Sequence, residues 1–360
     1  MKTKIAIACQ GGGSQAAFTA GALQGLFDAG ITDRFEIVAL SGTSGGAICA
    51  ALIWYAIKRG DDPVTERLLG FWQDNIVRRL SEQIYNDFAV GSLRMINRGL
   101  IPSFAISPSS PAATSMLQLA ALGQRREFVD LGYSLRRYID FDEVAAWGSS
   151  TSAPVLVMGA ASVLSGRLTK FNSAKEAIKL EHILASCAVP SLFPAVEIDG
   201  DAYWDGLFSD NPPLDDLINP TSVGEGNSPR EIWLIKINPT RRDSVPIYSD
   251  DILDRRNQLE GNLSLKQNLK YIELLNDLLL AGAFKNEFLE RLDFREPVRI
   301  PKAFAEEADK PYHIPFIEMS DELQKTLDYE GKLDRSERAV QMLMADGRRR
   351  AEEFLRVRSR

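Results

Sequence analysis

The sequence predicts an α/β fold built around a central, mostly parallel sheet. Three observations lead to this fold class: short apolar runs, glycine-rich turns that end them, and helical patterns that follow the turns. In the first sixty residues this order occurs twice, as strand, helix, strand and helix. Because consecutive parallel strands need a crossover between them, the order predicts parallel strands joined by right-handed helical connections.

The first two repeats of this unit are defined by their apolar patterns. The run TKIAIAC (3–9) is rich in isoleucine and predicts a buried strand, which the glycines at 11–13 end. The next segment has apolar residues at helical spacing and closes on a glycine suited to a C-terminal cap. A second strand, EIVALSG (36–42), then leads through Ser44 into an alanine-rich helix over 46–58.

The remaining chain predicts an insertion, more sheet and an extension. Residues 61–147 have amphipathic patterns and predict a helical insertion that covers a site. Strand patterns return at 153–163 and 231–238, and the sheet is predicted to end near residue 240. We therefore divide the chain into a domain over 1–240 and a mostly helical C-terminal extension over 241–360.

Charge and cysteine content limit the classes of function. A formal charge of -7 disfavours nucleic acid as a partner, because phosphate binding needs a basic surface. Cys9, Cys49 and Cys187 are odd in number and lack the spacing of metal ligands, which predicts a reducing, cytoplasmic location.

The apolar run 5–9 is too short for an export signal. The longest uninterrupted run, 47–57, is also shorter than the roughly 20 residues of a membrane span.

Ser44 lies in the pattern Gly-x-Ser-x-Gly, between a predicted strand and a predicted helix. A nucleophile on so sharp a turn requires small neighbours two residues away, which explains Gly42 and Gly46. The helix that begins there directs its amide donors toward whatever reacts with Ser44. The alternative is that Ser44 is only the N-cap of a buried helix in a glycine-rich turn.

Gly11, Gly12 and Gly13 follow the neighbouring strand. Adjacent glycines allow main-chain amides to approach an anion at a helix N-terminus, and a tetrahedral oxyanion is such an anion. The segment 11–16 also fits Gly-x-Gly-x-x-Gly/Ala, the pattern of a dinucleotide loop. That alternative requires an acidic residue at the end of the second strand, which instead ends in Leu-Ser-Gly.

The chain has two histidines, His182 and His313, and a Ser-His-Asp triad would need one of them. His182 is predicted inside a helix among apolar neighbours, and His313 lies in a proline-flanked loop without a motif. Asp205 is a different candidate, because it ends a strand after two aromatic residues and precedes a glycine. Asp199 and Asp201 are instead explained by a tight hairpin turn. A partly buried Asp205 would accept the serine proton directly.

Together these segments resemble the patatin-like phospholipase family over residues 4–215. The resemblance rests on the glycine loop 11–13, GTSGG at 42–46, the segment ASCAVPSLFPAVEIDGDAYWDGLFSDNPP at 185–213, and their order. It implies a three-layer α/β/α fold and hydrolysis of lipid acyl esters by a Ser-Asp dyad without a cofactor. Position by position, it implies that Ser44 is the nucleophile, Asp205 the proton acceptor, and the amides of Gly11, Gly12 and Gly13 the oxyanion hole.

The sequence departs from this family at two places. Ser14-Gln15-Ala16 stands where the family has x-Arg/Lys-Gly, so a positive charge is missing beside the loop. Leu207 follows Asp205-Gly206 at a position where the family has a small residue, glycine or alanine. Two other functions remain open: acyl transfer to an alcohol or thiol through the same acyl-enzyme, and binding without turnover.

Peripheral contact with a membrane is a further prediction for a protein with a lipid substrate. Candidate apolar surfaces are Phe71, Trp72, Ile76 and Leu80 in the insertion, or Leu278–Leu280 in the extension. At helical spacing the same residues also fit a core. The basic C-terminal end of the chain is interpreted as a solvated helix face or as an aid at anionic lipid.

Overall fold

A mixed sheet of eight strands forms the centre of the computed structural model, which describes residues 2–102, 107–190, 192–292 and 316–358. The strands are β1 (Thr3–Cys9), β2 (Phe35–Gly42), β3 (Val155–Ser162), β4 (Leu168–Asn172), β5 (Val196–Ile198), β6 (Asp201–Asp205), β7 (Glu231–Lys236) and β8 (Phe316–Glu318). Their path across the sheet is β5-β6-β3-β2-β1-β7-β8, and β4 also pairs with β3. The pairs β1/β2, β1/β7, β2/β3 and β7/β8 are parallel, as the order of elements predicted.

Helices connect and cover these strands. The described α-helices are α1 (Ala17–Asp28), α2 (Ile31–Arg34), α3 (Gly45–Arg59), α4 (Glu66–Asn75), α5 (Leu80–Asn97), α6 (Pro111–Ala121), α7 (Arg126–Val129), α8 (Leu131–Arg136), α9 (Phe141–Trp147), α10 (Leu180–Ser186), α11 (Pro220–Val223), α12 (Ser249–Leu280), α13 (Asn286–Leu292), α14 (Asp321–Thr326) and α15 (Glu337–Arg358). Short 3-10 helices lie at Gly13–Ala16, Gly206–Phe208, Asp215–Ile218 and Glu330–Leu333. None of the described helices is both long and apolar enough to cross a membrane.

Two apolar layers cover the two faces of the sheet. On β1, Ile5 and Ile7 join a core with α1, α3 and α15, whereas Ala6 and Ala8 join a second core with α12. The alternation follows from the two-residue period of a strand, and burial on both faces explains why β1 is apolar from Ile5 to Cys9. Helix, sheet and helix therefore form three layers, which confirms the predicted fold class.

The pairing of β3 determines how distant parts of the chain meet. Val157 pairs with β2 on one edge and with β4 on the other, and Ala160 pairs with β4 and with β6. A strand has two edges, so β2 and β6 share the edge opposite β4. Strand β2 ends at Gly42 beside Met158, and antiparallel β6 ends at Asp205 beside Ala160. The C-terminal ends of β2 and β6 therefore approach each other end to end.

Between α3 and β3, the described part of the insertion consists of helices α4–α9, as predicted. Phe71, Trp72 and Ile76 are buried there, with at most 4% of their surface exposed, so the prediction that they contact a membrane is wrong. Their helical spacing places them in the core instead. Leu80, at the start of α5, is 74% exposed. In the extension, Leu279 is buried, and Leu278 and Leu280 are exposed.

The C-terminal region completes the sheet. Strand β8 pairs with β7 through Ile235 and Ile317, so the sheet does not end near residue 240. A strand of three residues is too short to produce an alternating pattern, which explains why the sequence did not indicate it. Helix α15 lies against α1, where a Cβ on Gly21 would come within 2.0 Å of the Met344 carbonyl oxygen. The division of the chain at residue 240 stays a prediction.

A buried ion pair joins two helices of the insertion. Arg125 Nε donates to Glu82 Oε1 at 2.7 Å, and neither side chain is more than 8% exposed. Burial raises the pKa of Glu82, but the Arg125 guanidinium and three backbone amides outweigh it and lower that pKa to about 2. A carboxylate so held is ionised at neutral pH and depends on its partner.

We predict that Arg125→Met lowers the free energy of unfolding by about 3–5 kcal/mol, because it leaves the Glu82 charge buried without its partner. Denaturant unfolding measures this value. Arg126→Met is the matched control, since the Arg126–Asp130 pair is exposed and contributes at most about 1 kcal/mol. Equal stability of the two variants would contradict a role for the buried pair.

Candidate active site

Ser44 lies on a strained turn between β2 and α3. Its φ is 56° and its ψ is -130°, a region that residues with side chains rarely adopt. The Ser44 amide donates to Ser186 Oγ at 3.1 Å, at the end of α10. The Gly46 amide closes the turn by donating to the Thr43 carbonyl at 2.9 Å. Helix α3 begins directly after Ser44, as the sequence predicted.

The glycines two residues before and after Ser44 have no space for a side chain. A Cβ on Gly42 would come within 2.5 Å of the Gly46 carbonyl oxygen. A Cβ on Gly46 would come within 2.2 Å of the Cys9 carbonyl oxygen, at the end of β1. Real Cβ atoms do not approach backbone that closely, so the turn requires glycine at both positions.

Asp205 lies at the end of β6 and is 1% exposed. Its amide donates to the Ala188 carbonyl at 2.9 Å, and its Oδ1 accepts the Leu207 amide at 2.8 Å. Leu207 therefore contributes its main chain to the site. A Cβ on Gly206 would come within 2.3 Å of the Gly159 carbonyl oxygen, which explains the glycine after the aspartate.

The structure brings Ser44 and Asp205 together. Burial raises the pKa of Asp205 to about 7, whereas the Leu207 amide and the nearby Ser44 hydroxyl lower it in part. Asp205 Oδ2 has no hydrogen bond of normal geometry within the described chain. The Ser44 hydroxyl thus approaches the carboxyl without being aligned as a full hydrogen bond. Contacts of this kind are often loose in an enzyme without substrate.

The glycine loop lies beside this turn, and its three amides differ. The Gly11 amide donates to Asn211 Oδ1 at 2.6 Å, so it is already bound, which departs from the prediction for Gly11. The amides of Gly12 and Gly13 have no acceptor among the described residues. The Gly45 amide, directly after Ser44, also has none there. Gly12, Gly13 and Gly45 therefore retain free donors close to the serine.

His182 does not join this group. His182 lies in α10, stacks on Phe171 at 4.2 Å, and accepts the Lys179 amide at Nδ1. Burial lowers the pKa of His182 to about 4. Its Nε2 lies 3.5 Å from a carboxylate oxygen of Glu176. His313 lies outside the described residues.

Asp199 and Asp201 belong to the β5–β6 hairpin, as predicted. Asp199 and Gly200 both have positive φ, and Ile198 pairs with Asp201 across the turn. Among the described residues, no group of three or more histidine, cysteine or acidic side chains is arranged to hold a metal ion.

Sequence reasoning missed two contributors to the site. Asn211 holds Gly11, and Lys332 of the C-terminal region contacts the glycine loop through its backbone, since a Cβ on Gly13 would come within 2.5 Å of the Lys332 carbonyl oxygen. Asn211 lies inside the segment that carries the resemblance, but an asparagine before a proline has no distinctive signal. Nothing near Lys332 in the sequence points to a site.

A large cleft of about 1000 Å³ lies elsewhere, between α5, the loop 239–248 and the C-terminal region. Neither Ser44 nor Asp205 lines it. Two of its arginines are paired with acids, Arg94 with Asp328 at 2.7 Å and Arg242 with Asp254 at 2.8 Å. Within the described ranges, the serine, the carboxylate and the free amides bring a nucleophile, a proton acceptor and anion donors together.

Comparisons with known proteins place the chain in a family. The family model described as "Patatin-like phospholipase" matches residues 7–218. Among solved structures, the chain is similar to VipD from Legionella pneumophila, with 12% identity and a TM-score of 0.34 over 95% of this chain and 66% of that chain. A chain of the ExoU–SpcU complex from the type III secretion system of Pseudomonas aeruginosa is similar at 14% identity and a TM-score of 0.25, over 82% of this chain and 57% of that chain. The chain therefore spans less than two thirds of either chain's length. No curated protein matches the sequence.

We predict that Gly46→Ala destabilises the protein by about 1–3 kcal/mol or more, because the new methyl group collides with the main chain of β1. Chemical denaturation measures the change. Gly91→Ala is the control: it lies in α5 with open space around it, where alanine adds about 0.5–1 kcal/mol of stability. A Gly46→Ala variant as stable as wild type would contradict the crowded turn.

Proposed function

Because the chain belongs to the patatin-like phospholipase family, we propose that it is a serine acyl hydrolase that cleaves acyl esters of lipids. Ser44 is the proposed nucleophile and Asp205 the proposed general base. The observation that carries the proposal is the approach of the Ser44 hydroxyl to a buried carboxyl whose Oδ2 lacks a partner within the described chain. The strained backbone of Ser44 supports it as well.

In the proposed first step, Ser44 Oγ attacks the ester carbonyl carbon while its proton moves to Asp205 Oδ2. The carbonyl oxygen becomes an oxyanion, which the amides of Gly12, Gly13 and Gly45 stabilise. The carbon–oxygen bond to the leaving alcohol then breaks, and the alcohol takes the proton from Asp205. An acyl group remains on Ser44.

In the second step, water attacks the acyl-Ser44 carbonyl and gives its proton to Asp205. The tetrahedral intermediate breaks down, the fatty acid leaves, and Ser44 Oγ recovers the proton. The dyad returns to its starting state without a cofactor. Acyl transfer uses the same intermediate with an alcohol or thiol in place of water, so added acceptor distinguishes the two reactions by their products.

The environment of Asp205 suits a general base at neutral pH. Burial holds its pKa at about 7, near the pH at which proton transfer in both directions is efficient. Below that value the carboxyl is protonated and accepts no proton. Activity should therefore rise as the pH increases through about 7.

We predict that Ser44→Ala abolishes hydrolysis of p-nitrophenyl esters and labelling by a fluorophosphonate. Asp205→Asn should lower kcat by about 100- to 10,000-fold, the usual contribution of a general base, and should remove the rise in activity near pH 7. His182→Gln is the matched control and should stay within about threefold of wild type, because His182 contacts neither member of the dyad.

Two outcomes would contradict this proposal. Full activity in Asp205→Asn together with loss of activity in His182→Gln would show that His182, and not Asp205, is the general base. Equal labelling of wild type and Ser44→Ala would favour a binding protein that keeps the fold without turnover.

We also propose that α5 contacts the lipid surface from which the substrate comes. Leu80, Ile84 and Phe88 are 74%, 62% and 73% exposed and recur every four residues, so they form one apolar stripe. The opposite face of α5 binds the C-terminal region, where Asn86 donates to Asp334 at 3.1 Å. That region contacts Gly13 at Lys332, so the stripe lies one helix away from the glycine loop.

We predict that replacing Leu80, Ile84 and Phe88 together by serine weakens binding to vesicles of phosphatidylcholine and phosphatidylglycerol by about tenfold or more. Cosedimentation with the vesicles measures this, and hydrolysis of a water-soluble ester should remain unchanged. Leu164→Ser, which removes an exposed leucine in the β3–β4 turn, is the control. Vesicle binding equal to wild type in the triple variant would contradict the assignment.

A further inference from the structure

The glycine loop carries no cation of its own. Residues 10–16 are Gln, Gly, Gly, Gly, Ser, Gln and Ala, although an oxyanion and a carboxylate would lie beside them in the proposed reaction. The described structure places a cation there from the other end of the chain. The Gln15 side chain donates from Nε2 to the Asp328 carbonyl at 3.1 Å, which fixes the C-terminal region against the loop.

Lys332 reaches the loop through two contacts. Its carbonyl lies against Gly13, leaving no space for a Cβ on that glycine. Its Nζ donates to Asn238 Oδ1 at 3.1 Å, and Asn238 Nδ2 in turn donates to the Gly11 carbonyl at 3.3 Å. Lys332 is thus connected to both ends of the three-glycine segment, to Gly13 by its carbonyl and to Gly11 by its amine through Asn238.

The charges around Lys332 come from several elements. Asp254 of α12 and Asp205 of β6 both act on its amine, and the Tyr329 ring lies 5.4 Å away. Asp254 also pairs with Arg242 at 2.8 Å. Near Asp205, the neighbouring groups are Ser44, the Leu207 amide and the Cys187 thiol, whose pKa burial and Asp205 raise. Lys332 therefore interacts with carboxylates on two elements, Asp254 of α12 and Asp205 of β6.

We propose that Lys332 is a positioning residue for the acyl transfer to Ser44: it holds the glycine loop through Asn238, and its positive charge acts on Asp205 and on the oxyanion that forms at the loop. This inference rests on the proposed function. When Ser44 attacks, negative charge moves from the Asp205 carboxylate to the substrate oxygen near the loop. A buried cation that interacts with Asp205 and is hydrogen-bonded to the loop through Asn238 stabilises the charge during this movement.

The ionisations of Asp205 and Lys332 together predict a distinctive dependence of activity on pH. The Lys332 charge lowers the pKa of Asp205, which burial alone would place above about 7. Burial lowers the pKa of Lys332 to about 8, although Asp254 and Asp205 oppose that shift. Activity should thus rise through about pH 7 and fall again above about pH 8, where the amine loses its charge.

The test compares Lys332→Met, Lys332→Arg and Asn238→Ala on a p-nitrophenyl ester, beside wild type and Ser44→Ala. We expect Lys332→Met to lower kcat by about 10- to 100-fold with little change in KM. Its rise in activity should move to higher pH, because the Asp205 pKa increases without the cation. Asn238→Ala should lower kcat without moving that rise. Lys325→Met, at an exposed lysine of α14, is the control with unchanged activity.

Lys332→Arg keeps the test decisive if the methionine variant does not fold. An arginine stays charged above pH 8, so this variant should keep the rise near pH 7 and lose the fall at high pH. Wild-type kcat and an unshifted profile in Lys332→Met, or a fall above pH 8 in Lys332→Arg, would overturn the inference while Ser44→Ala remains inactive. Equal activity of wild type and Ser44→Ala would instead overturn the proposed function.

Discussion

The site depends on two strands that share one edge of β3. Strand β2 pairs with the first half of that edge and antiparallel β6 with the second half, so the two strands end against each other. Ser44 follows the end of β2, and Asp205 is the last residue of β6. Backbone pairing thus brings together two groups that are far apart in the sequence. Two side chains fixed by one rigid sheet hold their geometry better than side chains on mobile loops.

Close packing around that junction explains the glycines of the site. The turns at Gly42, Gly46 and Gly206 lie against main-chain atoms of neighbouring segments, where a methyl group has no space. The loop 11–13 is enclosed on one side by the turn of Ser44 and on the other by Lys332. The C-terminal region therefore contributes to the walls of the site, in addition to the strand β8 and the helix α15. We expect its removal to disturb the site as well as the core.

The parts of the fold that the sequence predicted are those with a local signal. Apolar runs predicted β1, β2, β3 and β7, and the steric need for small residues around Ser44 explained Gly42 and Gly46. Strand β8 has too few residues for a pattern. For Phe71 and Trp72 the sequence left both a core and a membrane surface open, because an apolar helix face has the same pattern in either place, and the structure shows the core. Asn211 and Lys332 contact the glycine loop only after distant segments of the chain fold together. No sequence pattern around either residue indicates such a contact.

A crystal structure of the adduct with a short alkyl fluorophosphonate would show whether Ser44 reacts as a nucleophile beneath free amides. We expect phosphorus bonded to Ser44 Oγ and a phosphonyl oxygen within about 3 Å of the amides of Gly12, Gly13 or Gly45. Asp205 Oδ2 should lie within hydrogen-bond distance of Ser44 Oγ. An adduct on another residue, or a phosphonyl oxygen directed away from the loop, would contradict a nucleophilic Ser44 beneath free amides.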